Sequence, residues 1–164
     1  MAENKDPFLK ADAEAITLAK TLLRDASYAA IAVNEPETGF PLASRVLLAT
    51  DSDGTPIILV SALASHTRAI ERDQRVSLLT GEPGKGDPLA HARMTTRCIA
   101  GRVPRDSADH QALRAKFLAR HPKARLYIDF PDFSLFRLTP VSADLNGGFG
   151  RAYRIDGQSL VDQA

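Results

Sequence analysis

The chain has 164 residues, 44% of them apolar, and 21 Lys and Arg against 20 Asp and Glu give a formal net charge of +1. That length fits a single domain, 1–164, able to bury a core without staples; the charge balance excludes a protein built to grip a nucleic-acid backbone, and the apolar content excludes an acidic disordered chain. The lone Cys98 leaves no internal disulfide or cysteine-based zinc site, and neither an apolar signal core after MAENKDP nor a membrane-length apolar run is present, so the expectation is a soluble cytoplasmic domain without membrane or nucleic-acid partners.

The first element is a helix capped by Asp6 with Pro7 in its first turn, its apolar face built from Ala15, Ile16, Ala19, Leu22, Leu23 and Ala26. Tyr28–Val33 is apolar enough for a buried strand. The turn residues Glu35 to Gly39 separate it from a second strand, Pro41–Thr50. Asp51-Ser52-Asp53-Gly54 is a hairpin turn into a third strand, Pro56–Ser61. These runs are too close for crossovers and are expected to pair antiparallel. A loop then enters a short helix capped by Ser65, with Ile70 inward. Arg75–Thr80 is a fourth strand, Gly81–Pro88 a mobile loop, and Thr95–Val103 a fifth strand with Gly101 as a possible bulge. Ser107–His121 is a second long helix, capped by Asp106 or Ser107 and stopped near Pro122. Phe133–Pro140 is the last clear strand, before a Gly-rich tail that turns strand-like again. Six or seven strands with two or three helices in non-alternating order predict an α+β fold around an antiparallel barrel.

Most motif-like segments have ordinary explanations. GEPGKGD lacks the P-loop's glycine spacing and its Ser or Thr after the lysine, and GGFG lacks both a third glycine and a βαβ setting. His110 and His121 share a helix but lie roughly 16 Å apart along its axis, too far to chelate one metal. Cys98 sits in a strand pattern and is expected as a small buried hydrophobe. The informative stretch is Ser44 to Arg68. Arg45 opens an otherwise apolar strand and needs a carboxylate, a phosphate, an electron-rich ligand or solvent. Ser65-His66-Thr67-Arg68 places free N–H groups, hydroxyls and a guanidinium at a helix start, chemistry suited to a phosphate monoester. Two readings stay open there: an anion site, or an exposed helix face on which Arg68 pairs with Glu71 and Ser65 only caps.

The order SRVLLATDSDGTPIILVSALASHTRAIERDQRVSLL resembles the flavin-binding core of the pyridoxamine 5'-phosphate oxidase-like split barrels, and most closely their haem-utilisation (HugZ-type) branch. The likeness continues through Asp87-Pro88, Ala92-Arg93-Met94-Thr95, His121-Pro122-Lys123-Ala124, Tyr127, Asp132-Phe133 and Gly148-Phe149-Gly150-Arg151-Ala152, covering roughly residues 10 to 155. The resemblance implies a six-stranded antiparallel split β-barrel with flanking helices, a homodimer, and FMN at the dimer interface. It sets Arg45, Val46 and Leu47 along the isoalloxazine and Ser61 against the flavin. It also gives His66, Thr67 and Arg68 to the phosphate and brings Arg93 and the partner's turn from Gly148 through Phe149 to Gly150 nearby. A fixed cation beside the ring would stabilise the reduced anionic flavin. Leu48, Ala49 and Thr50 stand where vitamin B6 oxidases place a phosphate-holding lysine, so that activity is not expected. No histidine follows His121, where haem-degrading relatives carry a haem-ligating one. The leading expectation is an FMN-dependent oxidoreductase of unknown substrate. The alternatives are a haem-binding, haem-utilisation protein using the same cleft, or a non-catalytic flavin carrier.

Overall fold

The computed structural model describes residues 6–163. In chain order the strands are β1 (Leu9–Lys10), β2 (Tyr28–Asn34), β3 (Pro41–Thr50), β4 (Pro56–Ser61), β5 (Arg75–Thr80), β6 (Arg93–Arg102), β7 (Phe133–Asn146) and β8 (Ala152–Asp156). The helices are α1 (Ala13–Asp25), α2 (Ser65–Arg72) and α3 (Ala108–Arg120). Six strands close into an antiparallel barrel in the order β7-β4-β3-β2-β5-β6, with β6 returning to β7; β8 and β1 extend the sheet beyond β7. The 14-residue β7 is the spine. It pairs with β6 along one edge, and with β4 and then β8 along the other.

Each strand's burial follows its alternation. In β2, Ala29, Ile31 and Val33 point inward while Tyr28, Ala30 and Ala32 are exposed, so this strand is half-buried rather than buried on both faces. Among the described strands, β4 alone is covered on both sides along nearly its whole length. Ile58 and Val60 join the barrel interior with Val46, Leu48, Leu78 and Phe136, while Ile57 and Leu59 lie beneath Leu113, Phe117 and Leu118 of α3. Helix α1 seats Ala15, Ala19 and Leu23 on Met94, Leu145 and Ile155. Helix α2 contributes Ala69 and Ile70 to the interior. Among the described residues, no helix is long and apolar enough to cross a membrane.

Several boundaries differ from expectation, for identifiable reasons. Asp12, not Asp6, caps α1: its Oδ1 accepts from Ala15 N at 2.8 Å, whereas Asp6 accepts from Phe8 N. The residues between form β1, a two-residue parallel pairing with Tyr153 and Arg154 that no local pattern signals. Ala64 rather than Ser65 is the N-cap of α2, and no side chain caps it. Ser107 caps α3 by accepting from His110 N at 3.2 Å. The bulge is not at Gly101, which pairs in register with Arg137. It lies where Arg97 opposes Ser142 but Cys98 opposes Pro140, leaving Val141 as the extra residue. Pro140 has no N–H to give a ladder, and a bulge absorbs that loss, so β7 runs on through the proline to Asn146. Backbone packs closely there: a Cβ on Gly157 would stand 2.1 Å from the Pro140 carbonyl oxygen.

Candidate functional site

The expected site residues fall into two groups. The first surrounds the start of α2. Ser61, the last residue of β4, donates its hydroxyl to Asp132 Oδ2 at 2.8 Å and accepts from Leu63 N at 3.1 Å. The Asp132 carbonyl in turn accepts from Ala62 N at 2.7 Å. Asp132 therefore fixes the loop leading into α2. On that helix, half-buried His66 places Nδ1 2.9 Å from Ser44 Oγ. Burial lowers its pKa, so at neutral pH it serves as a hydrogen-bonding group rather than a charge. Thr67 is buried with its hydroxyl unpartnered. Arg68 reaches only Ser65 Oγ, at 3.4 Å. Glu71 is not its partner, because that carboxylate pairs with Arg102. Arg68 is thus a cation with no carboxylate partner among the described residues.

The second group occupies the uncovered outer face of the barrel and the loops at its end. Val46 points into the core, whereas Arg45 and Leu47 project outward. Leu47 lies opposite Tyr28, and Arg45 lies in a row with Ala30, Leu79 and Thr95. The guanidinium of Arg45 sits over the Tyr28 ring, 5.2 Å from its centroid. This cation–π contact is the electron-rich partner its strand position demanded. The Tyr28 hydroxyl donates to Glu82, and that hydrogen bond raises the phenol's pKa. Glu82 follows Gly81, which is wedged against the Ala92–Arg93 backbone: a Cβ there would lie 2.4 Å from the Ala92 carbonyl oxygen, and its φ of +107° also favours glycine. Arg93 donates to the carbonyls of Leu89 at 3.0 Å and His91 at 3.4 Å. The Gly148 turn approaches Ala90, with Phe149 74% exposed beyond it.

The Ser44–His66 bond brings α2 beside Arg45, but the Arg93 and Gly148 loops lie far from α2 within one chain. Arg93 opens β6, and Arg102, which binds Glu71 of α2, closes it; ten residues of strand separate them by roughly 30 Å. The uncovered face between is apolar and small-residue rich, with Tyr28, Ala30, Ala32, Leu47, Leu79 and Ile99 all exposed. A groove of about 350 Å³ on this face is lined by Ala32, Asn34, Pro41, Arg75, Ser77 and Ile99, among others, and by none of the expected site residues. Sequence reasoning passed over the roles of Ser44, Asp132, Tyr28 and Glu82. Asp132 stood in a quoted segment, but its partner is 71 residues away, a relation that local spacing does not carry.

Residues 10–161 match the family model described as CREG, beta-barrel. The chain belongs to the CREG β-barrel family. Among curated proteins this CREG β-barrel chain is 34% identical over 120 residues to the non-canonical heme oxygenase HOZ, chloroplastic, of Arabidopsis thaliana, covering 73% of this chain and 36% of HOZ. It is 33% identical over 111 residues to heme oxygenase HutZ of Vibrio cholerae, covering 64% of this chain and 61% of HutZ. The match therefore spans about a third of one relative and under two thirds of the other. A heme binding protein from Mycobacterium smegmatis superposes with a TM-score of 0.82 at 31% identity, covering 93% of this chain and 61% of that one. A putative pyridoxamine 5'-phosphate oxidase from Listeria innocua shares the fold, with a TM-score of 0.59 at 14% identity and coverage of 79% and 96%. The split-barrel resemblance thus holds, with its HugZ-type branch. Two of the relatives above 30% identity are described as heme oxygenases and one as a heme binding protein, whereas the match to the putative pyridoxamine 5'-phosphate oxidase, at 14%, shows the fold alone.

Proposed function

We propose that this CREG β-barrel protein binds haem, and that two copies form each site. The observation that carries the reading is the identity of 34% and 33% to two proteins described as heme oxygenases. The residues fit the group. A porphyrin presents a wide apolar face and two carboxylates, and the uncovered sheet offers exposed Leu47, Leu79, Ala30 and Tyr28 around Arg45, which has no carboxylate partner among the described residues. Arg68 is a second cation of this kind. Since the α2 group and the Arg93–Gly148 group are separated by the length of β6, a ligand touching both takes one from each copy. The exposed apolar face supplies the surface on which the copies meet.

Bound haem would supply an iron centre able to react with dioxygen. The chain's own residues would bind, orient and exclude water: the outer strands would shield the macrocycle and the guanidiniums would hold its carboxylates, while Asp132 keeps the Ser61 loop in place. Flavin mononucleotide is the second reading, favoured by Ser65 and Arg68 at the start of α2.

The test is an absorption titration of the purified chain with haemin and, separately, with FMN, alongside its sedimentation in each case. A saturable Soret shift with dimers is expected, weakened in Arg45→Ala. Saturable FMN binding with no Soret shift would overturn the haem reading. In that event Arg68→Ala should weaken FMN far more than riboflavin, which lacks the phosphate.

A further inference from the structure

Beneath the turn that carries Asp132 lies a titratable side chain that the site itself does not use. His110, in the first turn of α3, is 5% exposed, and its Nδ1 is enclosed without a hydrogen-bond partner. Three charged groups face it: Arg105 from the segment before α3, Arg114 from the next turn of α3, and Asp129 from the turn ahead of β7. The single carboxylate is already committed. Arg114 Nε and Nη2 donate to its two oxygens at 2.8 and 2.5 Å. Arg105 fastens the same turn through its backbone, donating to the carbonyls of Asp129 at 3.4 Å, of Phe130, and of Phe133 at 2.7 Å. Residues 129–133 are therefore tied to α3 and its leading segment by two guanidiniums. Within them, Asp132 accepts the Ser61 hydroxyl.

We propose that His110 is a proton-operated latch on this turn: neutral, it adds no charge to those of Arg105 and Arg114, and protonated, it adds a third positive charge beside a committed carboxylate, so that residues 129–133 loosen and Asp132 leaves Ser61. The regulation rests on reading the Ser61–Asp132 pair as part of the ligand site; the latch itself does not. Burial, then the two guanidiniums, hold the imidazole below its ordinary pKa, with Asp129 opposing them. The sign follows. The unfolded or released histidine titrates at about 6.5. Between that value and the lower folded one, the open state binds more protons, so the closed state weakens as pH falls through the window.

The test is amide exchange of the full ligand-free chain at about pH 7.5 and about pH 5.5, corrected for intrinsic chemistry. In the wild type, peptides spanning 127–133 and 61–64 should exchange several-fold faster at the lower pH, while β2 and β3 stay protected. His110→Gln, which cannot titrate, should abolish the acceleration. Should that variant fail to fold, an NMR titration of the wild type decides: the Ser61 and Asp132 amides must shift with the midpoint of the His110 ring proton. Amides indifferent to that titration, or acceleration persisting in His110→Gln, overturn the latch. A haemin titration at both pH values separates the two ideas. No binding at either pH removes the functional reading and leaves the exchange result to decide the latch.

Discussion

Replacing Asp132 by alanine tests the connection between β4 and the turn before β7. The variant removes the acceptor for Ser61 Oγ while leaving the backbone bond from Ala62 N to the Asp132 carbonyl in place. A hydrogen bond to a charged group contributes roughly 1.5–3 kcal/mol, and because Ser61 and Asp132 are only part-buried, the lower end applies. With a urea slope of about 2 kcal/mol/M, a loss of about 1.5 kcal/mol moves the midpoint down by about 0.7 M. Asp132→Asn keeps an acceptor oxygen and should lose less than half as much. Ser61→Ala also removes the acceptor for Leu63 N, so its loss should exceed that of Asp132→Ala. The double-mutant cycle isolates the pair, and a coupling of about 1 kcal/mol is expected. Urea unfolding followed by circular dichroism, with the slope held common, is the assay. Additivity of the two single variants within about 0.3 kcal/mol would show that the side chains do not act on one another.

Cys98, which faces the barrel interior, has its thiol pushed up to about 12 by burial; a disulfide reagent should leave it unlabelled in the native chain at neutral pH and label it fully in denaturant, and rapid native labelling would show that the barrel opens readily. Tyr28 should ionise above its ordinary value because its hydroxyl donates a hydrogen bond to the Glu82 carboxylate, and Glu82→Gln should bring that ionisation down. The chain holds three tyrosines and no tryptophan, so phenolate absorbance reports the change directly, and an unaltered titration in the variant would remove the Tyr28–Glu82 bond from the account.

Strands β2 to β5 were legible because each is a short apolar run ended by strong turn residues. The Asp51–Gly54 turn is the clearest: Gly54 N donates to the Asp51 carbonyl, and Gly54 has a φ of +90°. The far half of β7 was illegible because Pro140 ordinarily ends a central strand, and only the partner strand shows that a bulge accommodates it. The same bulge explains the misplaced expectation at Gly101. At the site, the phosphate-like chemistry of Ser65 to Arg68 could be read from residue types. That Glu71 turns to Arg102 and leaves Arg68 without a carboxylate depends on where β6 ends. The burial of Thr67 and the inward turn of Val46 follow from α2 and β3 packing on a barrel whose closure no local segment encodes. Ligand preference was less legible still, because residue chemistry at a helix start suits a flavin phosphate and a haem carboxylate alike.

The closure of the barrel has a consequence for the order in which the molecule assembles. The β2–β3 and β3–β4 pairings and the β5–β6 pairing join neighbours in sequence, whereas β4 meets β7 only across α2, β5, β6 and α3. Pairings of such long separation carry the greatest chain-entropy cost before they yield any contact, and they set the slow step of folding. Ser61 and Asp132 lie at the end of that last ladder, beside the register pair Ser61 and Phe133. The loop that Asp132 holds is therefore among the final parts of the chain to take shape. A ligand that binds there recognises the finished barrel and leaves its intermediates alone, so it should slow unfolding without hastening folding.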